Sequence, residues 1–152
     1  MRAPAILEFR CLHCRQIVPL DPGRSGVQNR NHCPYCLWSR HLDLAQAGDR
    51  LSACKAPMRP LGLTVKRSPR RYRSCYSGEL MLIHQCIECG KLSINRIAAD
   101  DFAVSLLEIF ESSRRLDAFT RRSLEGCGIL PLQAADQTVV RAQLFGKFEG
   151  LV

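Results

Sequence analysis

The sequence predicts a small α+β protein in which cysteine knuckles and short β-hairpins are followed by a short C-terminal helical extension. Nine cysteines occur in 152 residues, and six of them form three Cys-x-x-Cys pairs. Strand-like and then helix-like patterns follow these pairs along the chain. The length allows one domain, or a small domain with an appendage. We expect residues 1–101 to form the cysteine-rich domain and residues 102–152 to form the extension.

The cysteine content is compatible with either a disulfide framework or a set of metal ligands. The N-terminal segment has no apolar run long enough for a signal peptide, and no apolar stretch is long enough to span a bilayer. The Cys-x-x-Cys spacing is itself typical of metal-binding knuckles. We therefore expect a cytoplasmic protein with reduced thiols and no association with membranes.

The first two pairs, Cys11/Cys14 and Cys33/Cys36, predict one structural zinc site. A tight turn between two cysteines points both sulfurs at one centre, and two such turns provide the four thiolates of a tetrahedral Zn²⁺ site. Eighteen residues lie between Cys14 and Cys33, which is typical of a zinc ribbon. A thioredoxin-like redox site is less consistent with the pattern, because that motif occurs singly in a βαβ unit.

A third pair, Cys86/Cys89, indicates a second zinc site. Gly90 follows directly and favours a knuckle, because glycine tolerates the positive φ of such a turn. The pair needs two more ligands, and Cys54, in a turn-rich segment, is the best candidate for one of them. The sequence therefore predicts one zinc ion and allows two.

The fourth ligand of the second site has three candidates. His41 lies shortly after the second knuckle, so the chain could carry it from one site to the other, and we prefer it. His84 precedes Cys86 by two residues on a predicted strand and would face the same side. Cys75 is the third candidate. The expected ligand set for both sites is Cys11, Cys14, Cys33, Cys36, Cys54, Cys86, Cys89 and His41.

Metal binding is expected to decide whether the front of the chain folds. A structural zinc site contributes on the order of 10–16 kcal/mol of apparent binding free energy. A whole domain is stable by only about 5–15 kcal/mol. Residues 1 to about 60 contain few aliphatic side chains with which to build a core.

Two strands are predicted after the first knuckles, over residues 61–65 and 78–84. The segment 66–73 joins them, and Ser68-Pro69 breaks the ladder there. Helical spacing then begins, with Asp100 or Asp101 as a possible N-cap. The apolar positions of the first helix are Phe102, Leu106, Ile109 and Phe110.

Two further helices are expected in the extension. One covers residues from about 115 to 125, with Leu116, Phe119 and Leu124 as its apolar positions. The other begins at Pro131. Cys127, between two glycines, is expected to be a small buried side chain.

The segment Arg30-Asn-His-Cys-Pro34 resembles the signature of the RNHCP domain family, which is named for that pentapeptide. The resemblance extends over roughly residues 7–101 and includes Tyr35 to Asp43, Gly48-Asp-Arg50, Cys54, Met58 with Pro60, His84 to Cys86, Cys89-Gly90 and Asn95 to Asp101. It implies a zinc-binding module and implies no reaction. Residues 102–152 lie outside it. Asp43 and Asp49 are expected to orient a ligand histidine or to pair with Arg30, Arg50 or Arg96.

The charge is concentrated in the front half of the chain. Residues 1–75 hold 14 Lys and Arg against 4 Asp and Glu, whereas residues 76–152 hold 8 against 10. A basic front half beside knuckle-flanking aromatics, Tyr35 and Trp38, is typical of nucleic-acid binding. We expect association with RNA or a ribonucleoprotein such as the ribosome. The expected contacts are Lys66, Arg67, Arg70, Arg71 and Arg73.

Two other functions fit the sequence less well. A protein-interaction scaffold would use the apolar faces of the helices in residues 102–152. A zinc enzyme would need an open coordination position. Only the second site could provide one, with Glu88 as a possible general base, if neither His41 nor His84 binds the metal. Since no hydrolase, deaminase or phosphate-binding motif is present, the sequence favours a protein without catalytic activity.

Overall fold

The computed structural model describes residues 7–66 and 78–146. It shows the predicted mixed α+β fold, with two small antiparallel sheets, cysteine knuckles and C-terminal helices, consistent with a zinc-ribbon-like domain. Most of the predicted connection between the two strands, together with Cys75, lies outside the described residues.

A short hairpin holds the first knuckle. Strands β1 (Glu8–Arg10) and β2 (Ile17–Pro19) are antiparallel, with Phe9 opposite Val18, and the knuckle is the turn between them. One helical turn, α1 (Pro22–Ser25), follows and is capped by the Asp21 carboxylate, which accepts from the Gly23 N–H. The second knuckle then leads into strand β3 (Ser39–Arg40).

The main sheet has four antiparallel strands in the order β3-β4-β5-β6. Strand β4 (Pro57–Lys66) contains the first predicted strand, and β5 (Glu79–Cys86) begins one residue after the predicted start of the second. Both strands continue beyond the predicted ends. Strand β6 (Leu92–Arg96) completes the sheet. The third knuckle is the turn between β5 and β6, so it opens at the same end of the sheet as the start of β4.

A bulge in β4 gives both faces of this sheet an apolar layer. The register shifts between Pro60 and Gly62. In a regular strand, Leu61 and Leu63 would point to the same face. Here Leu63 packs with Leu82 in one cluster, whereas Leu61 packs with Ile83 in another. The extra residue therefore redirects one side chain to the opposite face, as β-bulges do.

Three helices cover these layers: α2 (Ala103–Ser112), α3 (Ala118–Gly126) and α4 (Gln137–Phe145). Single 3₁₀ turns over 113–115 and 134–136 precede α3 and α4. Buried side chains from α2 and α4 join the Leu63 cluster, and Leu124 of α3 joins the Leu61 cluster. Residues 102–146 thus share their apolar interior with the sheet.

Backbone contacts also attach this region to the sheet. The Leu132 N–H donates to the Leu63 carbonyl at 2.8 Å, and the Thr64 hydroxyl donates to the Leu130 carbonyl at 2.8 Å. No helix among the described residues is long and apolar enough to cross a bilayer.

Some details of the predicted helices are wrong. Neither Asp100 nor Asp101 caps α2, whose N-cap position is Phe102 without a side-chain bond. Both carboxylates instead contact Arg30. Phe119 is 72% exposed although it continues the apolar spacing. The third helix begins after Pro131, at the turn over 134–136 and α4, and buries Val140.

Candidate metal centres

The first two knuckles bring four sulfurs to one point. Cys11 Sγ lies 3.6 Å from Cys36 Sγ, and Cys14 Sγ lies 3.6 Å from Cys33 Sγ. All four sulfurs are within 4.8 Å of one another. A disulfide would need about 2.05 Å, whereas a tetrahedral site with Zn–S bonds of about 2.3 Å places its sulfurs about 3.8 Å apart. The donor set therefore fits Zn²⁺.

All three knuckles share one backbone pattern. The N–H of each first cysteine donates to the carbonyl five residues later, and its own carbonyl accepts from the residue after the second cysteine. In each turn, the residue after the second cysteine has a positive φ: 67° at Arg15, 65° at Leu37 and 76° at Gly90. Only the third knuckle places a glycine there. The paired cysteine spacing, rather than glycine, is thus the general sequence signal for these turns.

The second cluster combines Cys54, Cys86 and Cys89 with His41. Cys54 Sγ lies 3.6 Å from Cys86 Sγ, and His41 Nδ1 lies 3.4 Å from Cys89 Sγ. His41 is fixed from both sides of its backbone, since its N–H donates to the Ala56 carbonyl and its carbonyl accepts from Lys55. The chain carries this histidine from the second knuckle to the third through strand β3. This group could also hold a zinc ion.

Local hydrogen bonds favour thiolate character at one cysteine of each cluster. Hydrogen bonds from Cys36 and from the backbone outweigh burial and lower the pKa of Cys33 to about 5. Burial raises the pKa of Cys86. Hydrogen bonds from the backbone amides of Cys89 and Glu88, and from the side chains of Cys89 and His41, outweigh burial and lower this pKa to about 6. In contrast, the hydrogen bond to Cys33 and burial raise the pKa of Cys36.

His84, the alternative fourth ligand, is not part of the cluster. Its ring is fully buried, and Nε2 lies 2.7 Å from the Leu37 carbonyl. Asn95 donates to Nδ1 at 2.8 Å, which leaves the proton of a neutral ring on Nε2. Burial lowers the pKa of His84 to about 3. Both ring nitrogens are thus engaged within the core, so His41 is the histidine available to the metal.

The expected roles of Asp43 and Asp49 are only partly observed. Asp43 accepts from the Arg50 N–H and from Asn31, and its carboxylate lies 3.9 Å from the Arg50 guanidinium. Asp49 accepts backbone N–H groups of its own loop, and these bonds hold its pKa well below the usual range. Neither bonds to His41, whose Nε2 has no partner among the described residues.

A buried ion network ties the pentapeptide to the end of the sheet. The Arg30 guanidinium donates to Asp100 at 2.8 Å and to Asp101 at 3.2 Å. His32 Nε2 lies 2.6 Å from the other Asp101 oxygen, and the Arg30 and Asp101 side chains are 1% and 0% exposed. The family resemblance includes all four residues, but it did not reveal their pairing, because about seventy positions separate Arg30 and His32 from the two aspartates.

The other predicted site residues are distributed as follows. Lys66 is exposed at the end of β4, and Arg67, Arg70, Arg71 and Arg73 lie outside the described residues. Cys127 is exposed rather than buried, and it belongs to neither cluster. Glu88 is exposed beside a group that offers four protein donors, so the open coordination position that a zinc enzyme requires is not evident there.

Comparison with known proteins identifies one family. A family model described as the RNHCP domain matches residues 7–107, which is most of the chain. The match covers both four-donor groups. No curated protein and no solved structure matches the chain.

Proposed function

Because this chain belongs to the RNHCP domain family, we propose that it is a structural zinc protein that binds two Zn²⁺ ions and associates with RNA or a ribonucleoprotein such as the ribosome. The proposal of zinc binding rests on two groups of four donors, one Cys₄ and one Cys₃His. Four protein ligands are typical of closed structural sites. The zinc ions then stabilise the fold and carry out no reaction.

Metal content tests this assignment. We expect two zinc ions per chain in the purified protein, and one after Cys36→Ser or Cys54→Ser, because each change removes a ligand from a different group. Cys127→Ser is the matched control and should retain both, since Cys127 lies in neither group. A wild-type protein with a single ion, or an equal loss in the control, would contradict the two-site proposal.

The identity of the nitrogen ligand can be tested by substitution with Co²⁺, whose absorption reports its ligands. We expect His41→Gln to change the cobalt spectrum of the second site. His84→Gln should leave that spectrum unchanged, because His84 bonds within the core. The reverse result would transfer the ligand role to His84.

The RNA part of the proposal rests on charge. Eight of the basic side chains between residues 7 and 66 are exposed, and Arg30 is the buried exception. Phosphate contacts from Lys and Arg release counterions, so binding should weaken steeply as salt rises. The tract expected from the sequence supplies further basic residues, Lys66, Arg67, Arg70, Arg71 and Arg73.

Binding of the purified protein to labelled single-stranded RNA over a range of salt concentrations tests this part. Arg70→Glu with Arg71→Glu should weaken binding by about tenfold or more, since two phosphate contacts become repulsive. Arg115→Glu with Arg122→Glu makes the same change in charge on the helical region and should have a smaller effect. Wild-type protein that binds no RNA would overturn the RNA proposal and leave the zinc proposal intact.

A protein-interaction scaffold has less support. The apolar side chains expected to face a partner, among them Leu106, Phe110 and Leu124, are buried against the sheet. The zinc proposal also requires reduced thiols, which is why we propose a cytoplasmic location.

A further inference from the structure

An open groove lies beside the first cluster. Its volume is about 250 Å³, and its lining includes His13, Trp38, Arg10, Arg40 and Arg50. The imidazole and indole rings are stacked in parallel, with centroids 4.1 Å apart and planes 5° apart. The groove therefore combines an aromatic platform with guanidinium groups.

The two zinc knuckles fix this platform. His13 lies between the two cysteines of the first knuckle, and Trp38 lies two residues after the second. The Trp38 carbonyl accepts from the Cys33 N–H at 2.9 Å. Since the four cysteines converge on one centre, the rings are held together before any ligand arrives. A preformed stacking surface loses little conformational entropy on binding.

The charge around the platform is positive. Arg10, Arg40 and Arg50 are exposed, and no carboxylate lines the groove in the part of the chain that the structure describes. Arg40 donates through Nε to the Lys55 carbonyl at 2.8 Å, and Arg10 through Nη1 to the Arg15 carbonyl at 3.2 Å. These bonds position the two side chains and leave other guanidinium nitrogens to donate. Arg50 also pairs with Asp43, whose Oδ1 lies 3.9 Å from the arginine Nε.

We propose that this groove binds single-stranded RNA, with a base against the Trp38–His13 platform and phosphates against Arg10, Arg40 and Arg50. Stacking on aromatic rings together with basic contacts to the backbone is the general mode of single-strand recognition. The inference rests on the proposed association with RNA and names a contact surface for it. Tyr35, the other aromatic at the second knuckle, instead contacts Phe102 edge to face at 5.5 Å.

Trp38 is the only tryptophan of the chain, so its fluorescence reports directly on the groove. In the zinc-loaded wild-type protein, a single-stranded RNA of about twelve nucleotides should quench this emission as it binds. Duplex RNA of the same sequence should compete weakly, because its bases are already stacked on one another. RNA that binds without changing the emission would overturn the groove proposal.

Anisotropy of the labelled strand gives a second measurement. Trp38→Leu, and separately the triple change Arg10→Gln, Arg40→Gln and Arg50→Gln, should each weaken binding by about tenfold or more. The matched controls are Tyr35→Leu and the triple change Arg24→Gln, Lys55→Gln and Arg59→Gln, which removes equal charge outside the groove. These controls should change affinity by less than about threefold. Zinc content verifies that each variant is folded.

The outcomes separate the two proposals. Wild-type protein that fails to bind RNA overturns both the RNA association and the groove. Two other results would overturn the groove proposal alone. One is an equal loss of affinity in the control triple variant and the groove triple variant. The other is duplex RNA that competes better than the single strand. Quenching of Trp38 with selective loss in the groove variants supports it.

Discussion

Arg30 joins the second knuckle to the end of β6 through two carboxylates. Its guanidinium is almost fully buried and donates to both Asp100 and Asp101, and Asp101 is buried as well. Burial raises the pKa of Asp100, but hydrogen bonds and the positive charge of Arg30 outweigh burial and lower it overall. A carboxylate in such a position stays ionised, so it depends on its partner for stabilisation.

We expect Arg30→Gln to lower the free energy of unfolding by about 3–5 kcal/mol, because it leaves a buried carboxylate without its positive partner. Arg96→Gln is the matched control. Arg96 pairs with Glu79 at 2.6 Å, but both side chains are about half exposed, and such pairs contribute about 1 kcal/mol or less. Denaturant unfolding of the zinc-loaded proteins measures both values, and equal losses would contradict a special role for Arg30.

At the residue scale, the sequence predicted which donor side chains come together better than it predicted their surroundings. Cys-x-x-Cys spacing is a local property, so the knuckles could be recognised without tertiary information. The choice between His41 and His84 depended on which ring forms hydrogen bonds within the core, and no local pattern contains that information. The sequence likewise could not show that the two carboxylates expected to cap α2 instead accept hydrogen bonds from the distant Arg30.

At the scale of elements, α2 provides the largest contribution to the main apolar cluster. Leu106 is 1% exposed and Phe110 is 0% exposed, and both pack in the cluster that contains Leu63 and Leu82. Arg114 lies over the Phe110 ring, with its guanidinium carbon 5.9 Å from the ring centroid.

Phe110→Ala should reduce the free energy of unfolding by about 3–5 kcal/mol through lost burial and the cavity that remains. Phe119→Ala removes the same atoms from α3, where the ring is 72% exposed, and should change stability by about 0.5 kcal/mol or less. Thermal or denaturant unfolding compares the two variants. A large loss of stability in Phe119→Ala would contradict this prediction and would indicate that the Phe119 ring is covered in solution.

Periodicity predicted that these helices exist, and it identified Leu106, Phe110 and Leu124 as apolar positions. It could not distinguish Phe119 from them, because the apolar spacing of a short helix allows more than one face. The bulge at Leu61 was equally hidden, since it follows from a register shift with β5 rather than from strand composition. Contacts between elements decide such details, and a single sequence contains them only indirectly.

Considered as a whole, the molecule has two sources of stability. The sheet and helices share an apolar interior that includes Leu63, Leu82, Leu106, Phe110 and Val140. Between residues 7 and 56, the buried aliphatic side chains larger than alanine are Val18, Pro34 and Leu37. The front of the chain therefore depends on the eight donors of its two clusters, which is the physical reason to expect zinc to be essential there.

Removal of the metal tests this claim most directly. Amide signals of the zinc-loaded protein should be recorded by NMR before and after treatment with a strong chelator, and again after Zn²⁺ is restored. We expect the signals of residues 7–56 to lose their dispersion without zinc and to recover with it, because ligation free energy of about 10–16 kcal/mol per site is removed. A protein that contains no zinc as purified, and whose signals the chelator leaves unchanged, would contradict the account.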